Sequence, residues 1–237
     1  MKRLLIVNVG SASTLLIEKY GNFEHWAKAA IGETKLMVGF HDGIHGQFPP
    51  LDLLAGVIIM GSPAMVTQQL PWMKKLEVDI LRLAENSIPT LGICFGHQLI
   101  ANAFGGKVAN NPKGLEIGTV TVRRTSESHT DPIFSTLPMQ FDSHTIHFQS
   151  VVSAPENATI LASNDMEDYH AFRIGEATWG VQFHPEFSTD VMRTILLNNK
   201  QHLSQTELEQ RLNRTTNTMD ARSILPKFNQ LVLKSIY

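Results

Sequence analysis

The run Leu91-Gly92-Ile93-Cys94-Phe95-Gly96-His97-Gln98 decides the fold, because it reads as a buried strand, a sharp turn and the start of a helix. Residues 88–93 are apolar apart from Pro89 and Thr90, the pattern of a strand covered on both faces. Beyond the turn, Leu99, Ile100, Ala103 and Phe104 recur at helical spacing. Cys94 therefore stands at a strand-to-helix junction between Gly92 and Gly96. Small residues there let the strand and helix approach closely and let the turn project its central side chain. The unpaired N–H groups and dipole of the helix N-terminus suit an anionic nucleophile. A lone cysteine is ordinarily a buried, inert side chain. The two glycines and the junction make Cys94 a candidate nucleophile instead.

Working outward, strand-like runs at 3–9 and 56–60 alternate with helical patterns over Val66 to Leu83 and Phe95 to Phe104. That order predicts parallel strands with crossover helices. From Lys107 the chain changes to short alternating segments between turns such as Asn110-Asn111-Pro112-Lys113-Gly114, which predict antiparallel or mixed strands added to the sheet. Ser188 is placed to cap a helix running to about Leu197. Residues 205–214 and 219–235 read as further amphipathic helices, with Pro226 breaking or starting one. The expected organisation is one domain over 1–197 and a C-terminal helical extension over 198–237, read as a packing extension.

Ninety residues after Cys94 the chain reads Phe183-His184-Pro185-Glu186. If this segment continues the strand-like Trp179 to Phe183, His184 and Glu186 point to one side, since side chains in a strand repeat every two residues. Pro185 fixes its own φ and biases His184 toward the extended region. A carboxylate beside an imidazole selects its tautomer and stabilises the imidazolium. Among ten histidines a His-x-Glu is a weak signal alone. Paired with the Cys94 turn it predicts a nucleophile, a base and an orienting carboxylate.

These motifs resemble those of class I (triad-type) glutamine amidotransferases, particularly stand-alone members related to the glutaminase domain of GMP synthetase and to plant gamma-glutamyl peptidases. Gly56-Val57-Ile58-Ile59-Met60-Gly61-Ser62-Pro63, Glu116-Ile117-Gly118 and His170-Ala171-Phe172-Arg173 fall in the expected order, so the resemblance covers about residues 1–197. It implies an α/β three-layer sandwich with a mostly parallel, flavodoxin-like central sheet. It also implies hydrolysis of the glutamine side-chain amide through a γ-glutamyl thioester on Cys94, with His184 as acid and base, its pKa near the working pH, and Glu186 orienting it. The oxyanion donors are the backbone of Phe95 and of Gly61 or Ser62. Most relatives carry Gly-Gly-Pro where this chain has Gly61-Ser62-Pro63, and a left-handed backbone at Ser62 would be disfavoured.

Gln98 resembles the family glutamine that faces substrate, one helical turn from the nucleophile. Ile146-His147-Phe148-Gln149-Ser150-Val151 aligns with a Ser-His-Gly-Asp-x-Val stretch, which implies substrate contacts at His147, Phe148 and Gln149. The departures matter, because a neutral Gln149 lacks the charge that a carboxylate offers an ammonium. The ammonia released passes to a separate acceptor-activating synthetase. The alternative is hydrolysis of γ-glutamyl peptides or conjugates by the same residues without ammonia transfer.

Composition bounds the rest. The chain has 237 residues, 43% of them hydrophobic, enough for one large core. A net charge of −2 offers no general attraction to nucleic acid or anionic membrane. The apolar run Leu4 to Val9 is too short for a signal segment or membrane span. One cysteine permits no internal disulfide, so a soluble cytoplasmic protein is expected. The histidines have no metal-ligand spacing, no phosphate loop is present, and no metal or cofactor is expected.

Overall fold

The computed structural model describes residues 2–236; the outermost residues of the two expected segments, Met1 and Tyr237, lie outside the described residues. The strands are β1 (Arg3–Asn8), β2 (Met37–Asp42), β3 (Leu54–Ile59), β4 (Thr90–Ile93), β5 (Lys107–Asn110), β6 (Glu116–Arg124), β7 (Gln140–His147), β8 (Gln149–Ser153), β9 (Ala158–Ser163), β10 (Ala171–Ile174) and β11 (Thr178–Val181). The helices are α1 (Thr14–Tyr20), α2 (Phe23–Ile31), α3 (Pro71–Glu85), α4 (Phe95–Ala103), α5 (Thr189–Asn198), α6 (Gln205–Arg214), α7 (Met219–Arg222) and α8 (Ile224–Lys234).

A nine-stranded sheet runs in the order β2-β1-β3-β4-β11-β10-β9-β6-β7, and β5 pairs with β8 in a separate ribbon. The half from β2 to β11 is parallel. Only β10 and β6 run against the common direction of the large sheet, because each pairs antiparallel with both neighbours. This is the mixed, mostly parallel sheet expected. Alternation along β1 divides the core: Leu4 and Ile6 join the cluster beneath α2, α5 and α8, whereas Leu5 and Val7 join the cluster beneath α3 and α4. Both faces are thereby covered, which gives the three layers.

The helix expected over Val66 to Leu83 is interrupted. A short 3-10 turn spans Val66–Gln68, Gln69 is left-handed at φ 54°, and α3 begins at Pro71. Proline has no N–H to lose at the first helical position and disfavours helical backbone in the residue before it. Ser188 caps α5 as expected, accepting from Val191 N–H at 3.2 Å. In the C-terminal segment the break falls at Ser223, and Pro226 sits within the first turn of α8. Leu208, Ala221, Ile224, Leu225, Phe228 and Val232 from this segment are buried in the same apolar cluster as β1 and β3. A methyl group on Gly56 would collide with Val232, so α8 is seated directly on β3. Of the elements unremarked in the sequence, α1 and α2 pack on the face covered by α5 and α8, and β2 forms one edge of the sheet. No helix among the described residues is long and apolar enough to cross a membrane.

The parallel strands set up the site. Register pairs Ile59 with Gly92 and Ile93 with Val181, so the loops after β3, β4 and β11 converge at one edge of the sheet. Gly61-Ser62, Cys94 and His184 lie in those three loops, where ligands of open α/β sheets gather.

Candidate active site

Cys94 has φ 53° and ψ −100°, a conformation that side-chain-bearing residues rarely adopt. Its N–H donates to Val181 O at 2.8 Å, which pins the turn to the end of β11. The glycines beside it are steric requirements. A Cβ on Gly92 would lie 2.5 Å from the Gly96 carbonyl group, and one on Gly96 would overlap Ile59 O. The strained, glycine-flanked junction read from the sequence is therefore present. Its side chain is buried but faces the cavity, with Sγ 3.6 Å from Ile146 O.

His184 reaches Glu186 by a different route from the one expected. β11 ends at Val181, and residues 184–187 form a turn closed by Phe187 N–H donating to His184 O at 3.3 Å. Proline at the second position favours such a turn, and this replaces the extended segment predicted from strand alternation. Within it His184 Nδ1 lies 2.7 Å from Glu186 Oε1, and since a carboxylate only accepts, Nδ1 carries the proton. The imidazole stacks on Phe187 with ring centres 3.9 Å apart and planes 10° from parallel. His184 N–H is held by His144 O at 2.8 Å.

The charge state of His184 also departs from expectation. Burial opposes the imidazolium, but the negative charges of Glu186 and Cys94 outweigh it and push the pKa up to about 10. The shift is upward, away from the value near the working pH that was expected. Nε2 is buried, and hydrogen bonding to Cys94 and to Glu186 also favours the imidazolium.

Gly61 packs over both side chains: a Cβ there would lie 3.1 Å from His184 Cε1 and 3.8 Å from Cys94 Cβ. The Ser62 hydroxyl donates to Val9 O at 2.7 Å and accepts from Ala64 N–H at 3.1 Å. Neither Gly61 nor Ser62 is left-handed, so the serine sits without the strain anticipated for it. Among the described residues, neither of their N–H groups is taken by an acceptor. Phe95, at the first position of α4, likewise has no partner within its own helix for its N–H.

Cys94, Phe95, Ser62, His184, Gln98, His147, Phe148 and Gln149 line one cavity of about 310 Å³. The last four of the sequence candidates differ in what they can offer. Gln98 donates both amide protons, to Gln149 O at 2.7 Å and Gln182 Oε1 at 2.9 Å, leaving only its oxygen as an acceptor. His147 is enclosed, with Nδ1 2.9 Å from Gln149 O and Nε2 2.8 Å from Glu116 Oε2. It therefore orders the wall rather than presenting a free nitrogen. Gln149 Nε2 is anchored to Thr67 Oγ1 at 2.7 Å and Asn110 Oδ1 at 3.1 Å, and its Oε1 is buried without a partner. Phe148 is half-exposed and packs edge-on against His202.

Glu116 anchors this wall. Burial would raise its carboxyl, but hydrogen bonds and charge from His147 and His170 hold it below the usual carboxylate range. Asn164 donates to its other oxygen at 2.7 Å. Sequence reasoning noticed Glu116 and His170 only as landmarks, and it missed Gln182 and the Ile146 carbonyl. It also missed Leu16, Phe23 and Ile195, which line the far end of the cavity. The spacing of Phe23, Trp26, Ala27, Ala30 and Ile31 was a usable helical signal for that end.

The chain is similar to known proteins. A family model described as class-I glutamine amidotransferase matches residues 16–203. Gamma-glutamyl peptidase 4 of Arabidopsis thaliana is 30% identical over 200 residues, spanning 82% of this chain and 80% of that protein. The glutamine-hydrolyzing GMP synthase of Cytophaga hutchinsonii is 30% identical over 202 residues, spanning 84% of this chain but 35% of that enzyme. Among solved structures, a glutamine amidotransferase from Thermotoga maritima covers 98% of both chains with a TM-score of 0.74 at 18% identity, a likeness of fold.

Proposed function

This chain belongs to the class-I glutamine amidotransferase family, and we propose that Cys94, His184 and Glu186 hydrolyse a γ-glutamyl amide bond through a thioester. The observation that carries this reading is the His184 to Glu186 contact of 2.7 Å in a loop facing the strained Cys94 turn. Glutamine, with ammonia as the leaving group and a separate synthetase to receive it, is the simplest such substrate. γ-Glutamyl peptides or conjugates are the second reading. It is favoured by a relative named a gamma-glutamyl peptidase that aligns over 80% of its own length.

In the first half-reaction Cys94 Sγ attacks the γ-carbonyl carbon and the carbonyl π pair moves to oxygen. The Phe95 N–H and one of the Gly61 and Ser62 N–H groups hold that oxyanion. Collapse breaks the C–N bond as His184 delivers its proton to the departing nitrogen. The upward shift of His184 suits this step, since its partners favour the protonated acid. Once the sulfur is acylated its negative charge is gone, and one of the two charges that lift His184 goes with it. The ring becomes a better base for the second half-reaction, in which it takes a proton from water as the hydroxide attacks the thioester. Glutamate leaves and the sulfur anion returns.

Gln98 keeps its amide oxygen as a neutral acceptor for the substrate's α-ammonium, whereas Gln149 Oε1 is closed off from the cavity. The test is direct measurement of glutamate release from glutamine and from γ-glutamyl dipeptides by the purified chain. Mass spectrometry of a glutamine-analogue electrophile should place the label on Cys94; a label elsewhere, with turnover retained in Cys94→Ala, removes the nucleophile assignment.

A further inference from the structure

The cavity is chemically divided. Gln98, His147, Phe148 and Gln149 line one side, where Gln98 keeps an amide oxygen unused while that of Gln149 is closed off. Leu16, Phe23, Phe187 and Ile195 form an apolar wall, joined in the lining by Ser13 and Asn198, whose amide donates to the Ser13 hydroxyl at 3.3 Å, and no Lys, Arg, Asp or Glu lines the cavity. That wall is continuous with the catalytic ring. Phe187 stacks on His184, Trp26 meets Phe187 edge-on at 5.6 Å, and Phe23 meets Trp26 edge-on at 5.2 Å.

The reaction orients a substrate across this division. The departing nitrogen must lie within hydrogen-bond reach of the group that protonates it, so whatever substituent it carries projects past His184. The γ-glutamyl part, with its charged amino-acid end, extends the other way toward the Gln98 amide oxygen. Ammonia would leave the apolar wall unused. A free carboxylate or ammonium on the leaving group would meet no countercharge there and would lose hydration.

Building on the γ-glutamyl hydrolase reading, we propose that Leu16, Phe23, Phe187 and Ile195 form a leaving-group subsite, and that the preferred substrates are γ-glutamyl amides of neutral alkyl or aryl amines. The products are glutamate and the free amine. The subsite discriminates by the area of alkyl surface removed from water, which for a four-carbon group amounts to roughly 100-fold in kcat/KM over glutamine.

The test compares γ-glutamyl isobutylamide, γ-glutamyl leucine, γ-glutamyl glycine and glutamine, following glutamate release by the full chain. The isobutylamide should be best, γ-glutamyl leucine weaker because it adds a carboxylate to the same alkyl group, and glutamine slow. Leu16→Ala and Ile195→Ala should each lower the ratio of isobutylamide to glutamine turnover by roughly 10-fold. Ile195→Phe, which fills the subsite without creating a hole, should lower the same ratio. If glutamine is turned over in a Cys94-dependent reaction at least as fast as the isobutylamide, the subsite assignment is overturned while the hydrolase reading stands. If the folded protein releases glutamate from none of the four, both fall.

Discussion

His97 and His184 flank the Cys94 turn, both are buried, and their proton affinities diverge in opposite directions. His97 sits on α4 against Phe172, ring centres 4.6 Å apart, beside the Gly180 backbone and with no charged partner. Burial, together with repulsion from His170 and His147, drives its pKa down to about 3. His184 meets the same burial but faces Glu186 and the Cys94 sulfur, and rises to about 10. Burial alone therefore does not set the direction of a histidine's shift in this fold; a charged partner held by a turn does.

Removing the partners one at a time breaks the comparison, and the largest effect is at the sulfur. Cys94→Ala should lower kcat by roughly 10⁴-fold or more, since a methyl group forms no thioester, and His184→Ala should be nearly as damaging. The two losses should not add in the double variant, because either one stops the same step. Steady-state turnover of any accepted γ-glutamyl amide measures this. Additive losses would mean that the two side chains act separately.

Glu186→Gln keeps the shape of the contact and removes its charge. We expect a fall of roughly 10²- to 10⁴-fold in kcat. His184 loses its strongest lifting partner, so its pKa moves down and the imidazolium needed to protonate the leaving nitrogen is lost at lower pH. The alkaline limb of the pH profile should shift toward neutrality accordingly. An unchanged rate and profile would assign the third position to another residue.

The stability consequences have opposite signs. His97, with its folded value depressed below 6.5, contributes stability that is present above pH 6.5 and is lost as the pH falls toward 3. His184, with its value raised, contributes stability that is complete below pH 6.5 and is lost as the pH rises through about 10. Denaturant midpoints at pH 7 and pH 5 should therefore separate wild type from His97→Leu. The variant should lose less stability on acidification, with the full difference reaching a few kcal/mol toward pH 3. Parallel losses in both proteins would show that His97 finds a proton partner the structure lacks.

The catalytic turn was legible because its causes are local. Gly92, Cys94 and Gly96 fall within five residues, and their spacing alone requires a tight strand-to-helix turn. The His184 to Glu186 contact was legible for a reason that proved wrong in detail: Pro185 makes a turn, and the turn rather than strand alternation closes the pair. The recognition wall was only partly legible. His147 could be placed near the substrate, but its partner Glu116 is 31 residues away, and Gln98 meets Gln182 across 84. Such pairs depend on strand register, which periodicity does not reveal. The raised pKa of His184 was likewise invisible, since it depends on the distances of two negative groups.

The smallest expected effect tests how far the partners of His184 extend. Arg222, at the end of α7, lies beyond the residues 16–203 matched by the family model, yet its Nη1 donates to Glu186 O at 3.4 Å. Its charge also reaches His144, whose pKa falls to about 4 through burial, then His184, then Arg222 itself. His144 in turn holds His184 N–H. The C-terminal segment thus bonds Glu186 and acts by charge on His144, the two residues that hold His184 by its ring and its backbone. The bond is long and the guanidinium is partly solvated, so it steadies the turn only weakly. Arg222→Ala should lower kcat by roughly 2- to 10-fold with little change in KM, because it loosens Glu186 without touching the cavity. Arg222→Lys should recover part of the loss, since the cation returns without the planar fork. If both variants match wild type in kcat while α7 and α8 stay folded by circular dichroism, the extension serves packing alone and the charged environment of His184 ends at Glu186 and Cys94.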